Sequence, residues 1–136
     1  LRDIFEAITR AYAGPGPEID LKLELEPLTL DVRRALPIGL IATEILTNAL
    51  KHAFEGREKG LISVQLKKTV SQILLQISDN GLGLPEGWLT GTSTGLGQVI
   101  IKTLADQLEA SLEVESQPEI GTLFRLILPL SSEKVS

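Results

Sequence analysis

Apolar and polar positions recur with different periods along the chain, and each change of period marks an element. From Leu1 to Tyr12 the residues Ile4, Phe5, Ile8 and Tyr12 fall at helical spacing, and Gly14-Pro15-Gly16-Pro17 then stops any helix. Asp20 to Glu26 switches to period two, with Leu21, Leu23 and Leu25 set against charges, which predicts a one-sided strand of an antiparallel sheet. A helical pattern runs from Pro37, a favoured first helical residue, to Phe54, and Gly56 closes it. Leu61 to Thr69 and Ser71 to Asp79 read as two strands joined by a tight turn. Gly95 to Leu108 is a second helix, with Leu96, Val99, Ile100, Leu104 and Leu108 on one face. Ser111 to Glu115 and Thr122 to Pro129 complete the pattern as strands with Gly121 at the bend, and residues 131–136 read as a disordered tail.

Strands in pairs with helices between them predict an α+β fold: a two-layer sandwich whose mixed, mostly antiparallel sheet carries helices on one face. GxGxxG and GxxxxGK[ST] are both absent, which excludes the two best-known phosphate loops. The 136 residues suit one domain that buries about two thirds of its unfolded surface. A net charge of −5 with scattered Lys and Arg argues against nucleic acid as a partner, because neutralising phosphates needs a basic face. Absence of cysteine excludes disulfides and thiol chemistry. No apolar run reaches the ~18 residues of a membrane span, so no membrane contact is expected of this domain. Leu1 at the start and the lack of methionine read as a fragment of a longer protein.

Three stretches carry candidate chemistry. At ~100° per residue, Glu44, Thr47, Asn48, Lys51 and Glu55 share one stripe of the first long helix, with His52 at its edge. A solvated face accounts for such a stripe, but Thr47 and Asn48 are poor helix formers for that purpose. A carboxylate, an amide oxygen and a cation together would instead suit a magnesium-bound phosphate chain, since Mg²⁺ takes hard oxygen ligands and keeps several waters. The second stretch, DNGLGLP from Asp79 to Pro85, looks like a hairpin turn, yet no partner strand follows it. Asp79 has the parity of Ile73, Leu75 and Ile77, which aims its carboxylate at the covered side. Either an Asx-type turn or a ligand amine would supply the donors it needs, and in the second case Gly81 and Gly83 let the backbone approach a flat ring. The third stretch, TGLG from Thr94 to Gly97, opens a helix without bulk and would suit phosphate, or simply cap the helix. Between the last two, Leu84 to Thr94 reads as a lid that includes Trp88.

ExxxNxxKHA on a helix, a strand ending in DNGLG, a flexible stretch, GLG opening a helix and GTxF in the last strand together resemble the ATP-binding catalytic domain of sensor histidine kinases. That domain has a Bergerat-type fold, shared with type II topoisomerases, heat-shock chaperones and mismatch-repair ATPases. ALPIGLIATEILTNALKHAF and the short lid resemble the branch that includes the HWE group. The resemblance covers about Ile19 to Pro129. It implies ATP and Mg²⁺ as cofactors. It further implies that Asp79 accepts from the adenine amino group, that Gly81 and Gly83 border the base, and that Thr122 supports the same edge. Asn48 would ligate Mg²⁺, Lys51 and His52 would lie near phosphates or ribose, Gly95, Leu96 and Gly97 would cradle the phosphates, and Glu44 would act as general base.

The same resemblance implies a domain plan. Residues 1–18 would be the end of a dimerisation and phosphoacceptor helix plus linker, 19–130 the catalytic domain, and 131–136 a tail. The only histidine, His52, falls in the ATP motif, so the phosphoacceptor is expected on a dimerisation domain of the same protein. A response regulator downstream, a full-length homodimer and a cytoplasmic location complete the picture. Glu109-Ala110 departs from the glycine pair of relatives and puts that turn in question. An anti-sigma-factor-type serine kinase and a nucleotide-independent interaction module are the alternatives.

Overall fold

The computed structural model describes residues 2–11, 16–84 and 96–130. The order is α1 (Arg2–Ala11), β1 (Glu18–Leu25), α2 (Val32–Asn48) continued by a π-helical turn (Ala49–Ala53), β2 (Lys59–Lys68), β3 (Gln72–Asp79), α3 (Leu96–Gln107), β4 (Ser111–Gln117) and β5 (Gly121–Pro129). Gly14-Pro15, most of the expected lid with Trp88, and the expected tail lie outside the described residues.

One five-stranded sheet has the order β1-β2-β3-β5-β4. Its β2–β3, β3–β5 and β4–β5 pairs are antiparallel. β1 is the exception and corrects the expectation for that strand: it pairs with β2 in parallel, Glu18 opposite Lys59 and Leu25 opposite Leu66. Alternation of Leu21, Leu23 and Leu25 reports a covered face and is silent on direction. Direction is set by α2, which connects β1 to β2 as a crossover, and a crossover returns the chain parallel. On the covered face, Ile62, Val64, Leu66, Ile73, Leu75, Ile77, Phe124, Leu126 and Leu128 are buried together with Ile38, Ile41, Ile45 and Leu46 of α2 and Ile101 and Ala105 of α3. Phe5 of α1 belongs to the same core. This is the predicted two-layer α+β sandwich.

Both ends of α2 differ from the sequence reading. The helix starts at Val32, capped by Asp31, whose carboxylate accepts the Arg34 N–H at 3.2 Å. Pro37 therefore sits inside the helix, where its missing N–H forgoes the bond to the Arg33 carbonyl. Asp at the N-cap, six residues ahead of Pro37, sets the start of the helix. At the other end the α-helical ladder stops at Asn48. Thr43 Oγ1 donates back to the Gly39 carbonyl at 2.7 Å and Thr47 Oγ1 donates to the Thr43 carbonyl, contacts that weaken and bend a helix, and the wider π turn follows directly. Gly56, at φ +74°, ends the segment as expected. After α3, Ala110 N–H reaches the Ala105 carbonyl at 2.9 Å and Glu109 takes φ +56°, so the turn in question forms with glutamate in a glycine-favouring conformation.

Arg34 holds the end of β5 against the start of α2. Its side chain is only 8% exposed and donates to the Leu130 carbonyl at 2.7 Å and to the Pro129 carbonyl. A guanidinium forks across two carbonyls where an ammonium reaches as a point donor. Arg34→Ala should lower stability by about 2 kcal/mol, because two hydrogen bonds from a charged, buried donor to the end of β5 are lost. Arg34→Lys should recover less than half of that in a denaturant melt.

Candidate functional site

Glu44 and Asn48 come together with Gly97. Both side chains are half-buried, and a Cβ on Gly97 would collide with the Glu44 carboxylate and stand 3.3 Å from Asn48 Nδ2. Glycine at this position thus lets the first turn of α3 lie directly against a carboxylate and an amide. Leu96 opens α3, while Gly95 and Thr94 lie outside the described residues. Thr47, counted on the same stripe, commits its hydroxyl to its own helix. Lys51 and His52 are exposed on the π turn, where His52 Nδ1 lies 3.6 Å from Glu55 Oε1. Steps of ~100° hold for an α-helix; the π turn shifts the phase after Asn48, so the stripe is continuous only from Glu44 to Asn48.

A second group forms at the end of the sheet. Asp79 is half-buried, with the parity of Ile73, Leu75 and Ile77, and pairs across the strands with Thr122. Its carboxylate accepts the Gly81 N–H at 2.9 Å. Burial pushes the Asp79 pKa above the ordinary carboxylate value, and the backbone N–H groups of Gly81 and Thr122 offset part of that rise. The Asx-type turn is real, and a carboxylate aimed at the covered side is real as well. Asn80 does other work: its Oδ1 accepts the Leu61 N–H at 2.8 Å.

Gly81 and Gly83 need their missing side chains for reasons internal to the chain. A Cβ on Gly81 would strike the Ala53 carbonyl, which already accepts the Leu82 N–H at 2.7 Å. The DNG loop is thereby fastened to the π turn. Gly83 has φ +90°, and a Cβ there would stand 3.0 Å from both the Gln117 carbonyl and Ser116 Oγ. Thr122 is buried, with Oγ1 3.3 Å from Ser116 Oγ.

Two residues that the sequence reading passed over support this corner. Ser116 accepts the Leu84 N–H at 2.8 Å. It is a polar residue on the inward parity of Leu112 and Val114, a signal lost by ending the strand at Glu115. Arg57 donates to the Asn80 carbonyl at 3.2 Å and to the Glu119 carbonyl at 3.2 Å, tying the DNG loop to the β4–β5 turn.

Among the described residues no group of three or more His, Cys, Asp or Glu side chains could hold a metal by itself. The donor set of Asn48 and Glu44 instead suits a hard cation that takes most of its ligands from water and phosphate. The Asp79 carboxylate supplies a fixed acceptor. No helix among the described residues is long and apolar enough to cross a membrane.

Comparison with known proteins gives the family. Residues 33–132 match the model of the "Histidine kinase-, DNA gyrase B-, and HSP90-like ATPase" family. Blue-light-activated histidine kinase 2 of Erythrobacter litoralis is 34% identical over 119 residues, covering 85% of this chain and 34% of that protein. Sensor histidine kinase PdtaS of Mycobacterium tuberculosis is 32% identical over 103 residues, 74% of this chain and 21% of that protein. The chain thus spans about a third or less of these relatives. Among solved structures, the histidine kinase domain of an Erythrobacter litoralis blue-light-activated kinase superposes with a TM-score of 0.86 at 29% identity, covering 95% of this chain and 58% of that one. The chain belongs to the histidine kinase-, DNA gyrase B- and HSP90-like ATPase family, as an ATP-binding catalytic domain of the sensor histidine kinase kind.

Proposed function

We propose that this domain binds ATP with Mg²⁺ between α2, the DNG loop and the start of α3, and acts as the catalytic half of a histidine kinase of the HWE-like branch. The observation that carries the reading is the half-buried Asp79 carboxylate at the end of β3, with one fixed donor from Gly81 and a neighbouring hydroxyl on Thr122. An acceptor at that place suits an adenine amino group, whereas a guanine carbonyl would set acceptor against acceptor. Gly81 and Gly83 border the base. Asn48 ligates the cation, which when bound would neutralise phosphate charge. Lys51 and His52, exposed on the π turn, would lie near the phosphates or ribose, and the Gly95, Leu96, Gly97 motif would cradle the phosphate chain. Glu44, against Gly97, accepts the proton of the incoming nucleophile or orients it.

His52 is the one histidine of this chain and sits on the π turn, so the acceptor histidine comes from elsewhere. We place it on a dimerisation domain of the same protein, preceding a catalytic unit of residues 19–130, in a homodimer that signals in the cytoplasm to a response regulator. Residues 1–18 are then the end of the preceding helix and its linker, and 131–136 a tail.

Titration calorimetry tests the reading. ATP with Mg²⁺ should bind at micromolar to millimolar affinity, roughly −4 to −8 kcal/mol, weaken when EDTA removes the cation, and exceed GTP. No heat of ATP binding to the folded chain sinks the proposal. Added as a separate polypeptide, a helical hairpin carrying a histidine should acquire acid-labile label from ATP; acid-stable label would point to serine.

A further inference from the structure

Three polar side chains stand in one row across the end of the sheet. Ser116 of β4 pairs with Thr122 of β5, and Thr122 pairs with Asp79 of β3, all on the covered side. Beyond Asp79 the row continues to Ile62 of β2 and becomes apolar. Ser116 is the outer member of the row and stands behind Thr122 and Gly83, which the ATP reading places at the base. Its oxygen accepts the Leu84 N–H at 2.8 Å and lies 3.3 Å from Thr122 Oγ1.

A serine hydroxyl has one proton and two lone pairs. With one lone pair taken by Leu84 N–H, Ser116 can spend its proton on Thr122 Oγ1, and in that direction of the pair Thr122 turns its own proton away from Ser116. Asp79 offers only acceptors while ionised, so a hydroxyl presented as a donor beside it makes the row acceptor-plus-donor. The Watson–Crick edge of adenine carries an amino donor beside a ring-nitrogen acceptor, which is the complement; guanine presents a carbonyl beside an N–H. The same serine fixes the backbone just past Gly83, whose φ of +90° places it against Ser116.

We infer that Ser116 is a positioning residue for base selection, acting through the hydroxyl of Thr122 and the backbone at Leu84; this rests on the ATP reading above. Ser116→Ala removes both contacts, Ser116→Thr keeps the hydroxyl, and Ser116→Cys keeps the volume with a weak hydrogen-bonding group.

The first readout needs no nucleotide. Amide hydrogen exchange at Leu84 should speed up about tenfold in Ser116→Ala, the loss of one hydrogen bond, and return in Ser116→Thr. The second is the ratio of ATP to GTP affinity, measured by competition. That ratio should fall about tenfold in Ser116→Ala and Ser116→Cys and recover in Ser116→Thr, again the weight of one bond. An unchanged ratio in a folded Ala or Cys variant overturns the inference, whether or not both affinities fall together, since equal losses mark a merely structural role. If the wild-type chain binds no ATP, the nucleotide reading fails first and takes this one with it. If the wild type binds and the ratio holds in the variants, this one fails alone.

Discussion

Asp79→Asn should lower ATP affinity about a hundredfold and erase the preference over GTP, because an amide nitrogen would face the adenine amino group, donor against donor, in a site where an unpaired polar group costs 1–3 kcal/mol or more. The Gly81 N–H can still bond the amide oxygen, so the turn survives and the loss is one of recognition. The same substitution should change stability in the opposite direction. Burial raises the Asp79 pKa in the folded state, so the folded protein holds that proton more tightly than the unfolded chain does. Its contribution to stability is present in full below the ordinary carboxylate pKa and is lost as pH rises through the raised value. Nucleotide-free Asp79→Asn should therefore come nearest to the wild type near pH 3 and exceed it near pH 7, a range that spans the usual Asp pKa of about 3.9. Thermal melts at the two pH values check this. A difference that does not grow with pH would show that burial is not what perturbs the carboxyl.

Gly81→Ala should destabilise the fold by about 2–3 kcal/mol, the scale of overpacking a tight contact. The added methyl would meet the Ala53 carbonyl, a backbone atom that cannot swing aside, and would break the Leu82 bond to it. Gly56→Ala is the comparison. Nothing lies within 4 Å of a Cβ there, and only the positive φ of +74° opposes it, at about 1 kcal/mol. Urea melts of the two variants should separate by at least the difference. Equal losses would mean that the Ala53 contact relaxes around the methyl and is not what Gly81 protects.

Much of this was legible in the sequence because period and parity are local properties. Asp79 could be aimed by counting from Ile73, and the buried set of α2 by helical spacing. Strand direction was not legible: nothing in Leu21, Leu23 and Leu25 distinguishes a parallel from an antiparallel neighbour, which depends on where the following helix delivers the chain. The π turn was invisible for a related reason. Regular spacing assumes one helix type, and the hydroxyl-to-carbonyl bonds of Thr43 and Thr47 that precede the change are not announced by composition alone. The glycines carry a second constraint that their motifs do not announce. Gly81, expected at the base, also lies against Ala53, and Gly97, expected at the phosphates, also lies against Glu44. Ser116 was missed because an inward serine near a strand end looks like the end of the strand.

The parallel edge strand has a consequence for how the domain assembles. β2 with β3, and β4 with β5, are hairpins whose partners are close in sequence, and such pairs close within microseconds. β1 meets β2 across the whole α2 crossover, Glu18 opposite Lys59, and β3 meets β5 across α3 and β4, Asp79 opposite Thr122. Ordering a long intervening segment before any contact rewards it makes these two pairings slower than the hairpins. As an edge strand with a single partner, β1 can leave with the loss of one pairing. Glu44, Asn48, Asp79 and Thr122 all lie outside that departing piece, so the nucleotide corner can outlast the loss of the edge that joins it to its upstream helix.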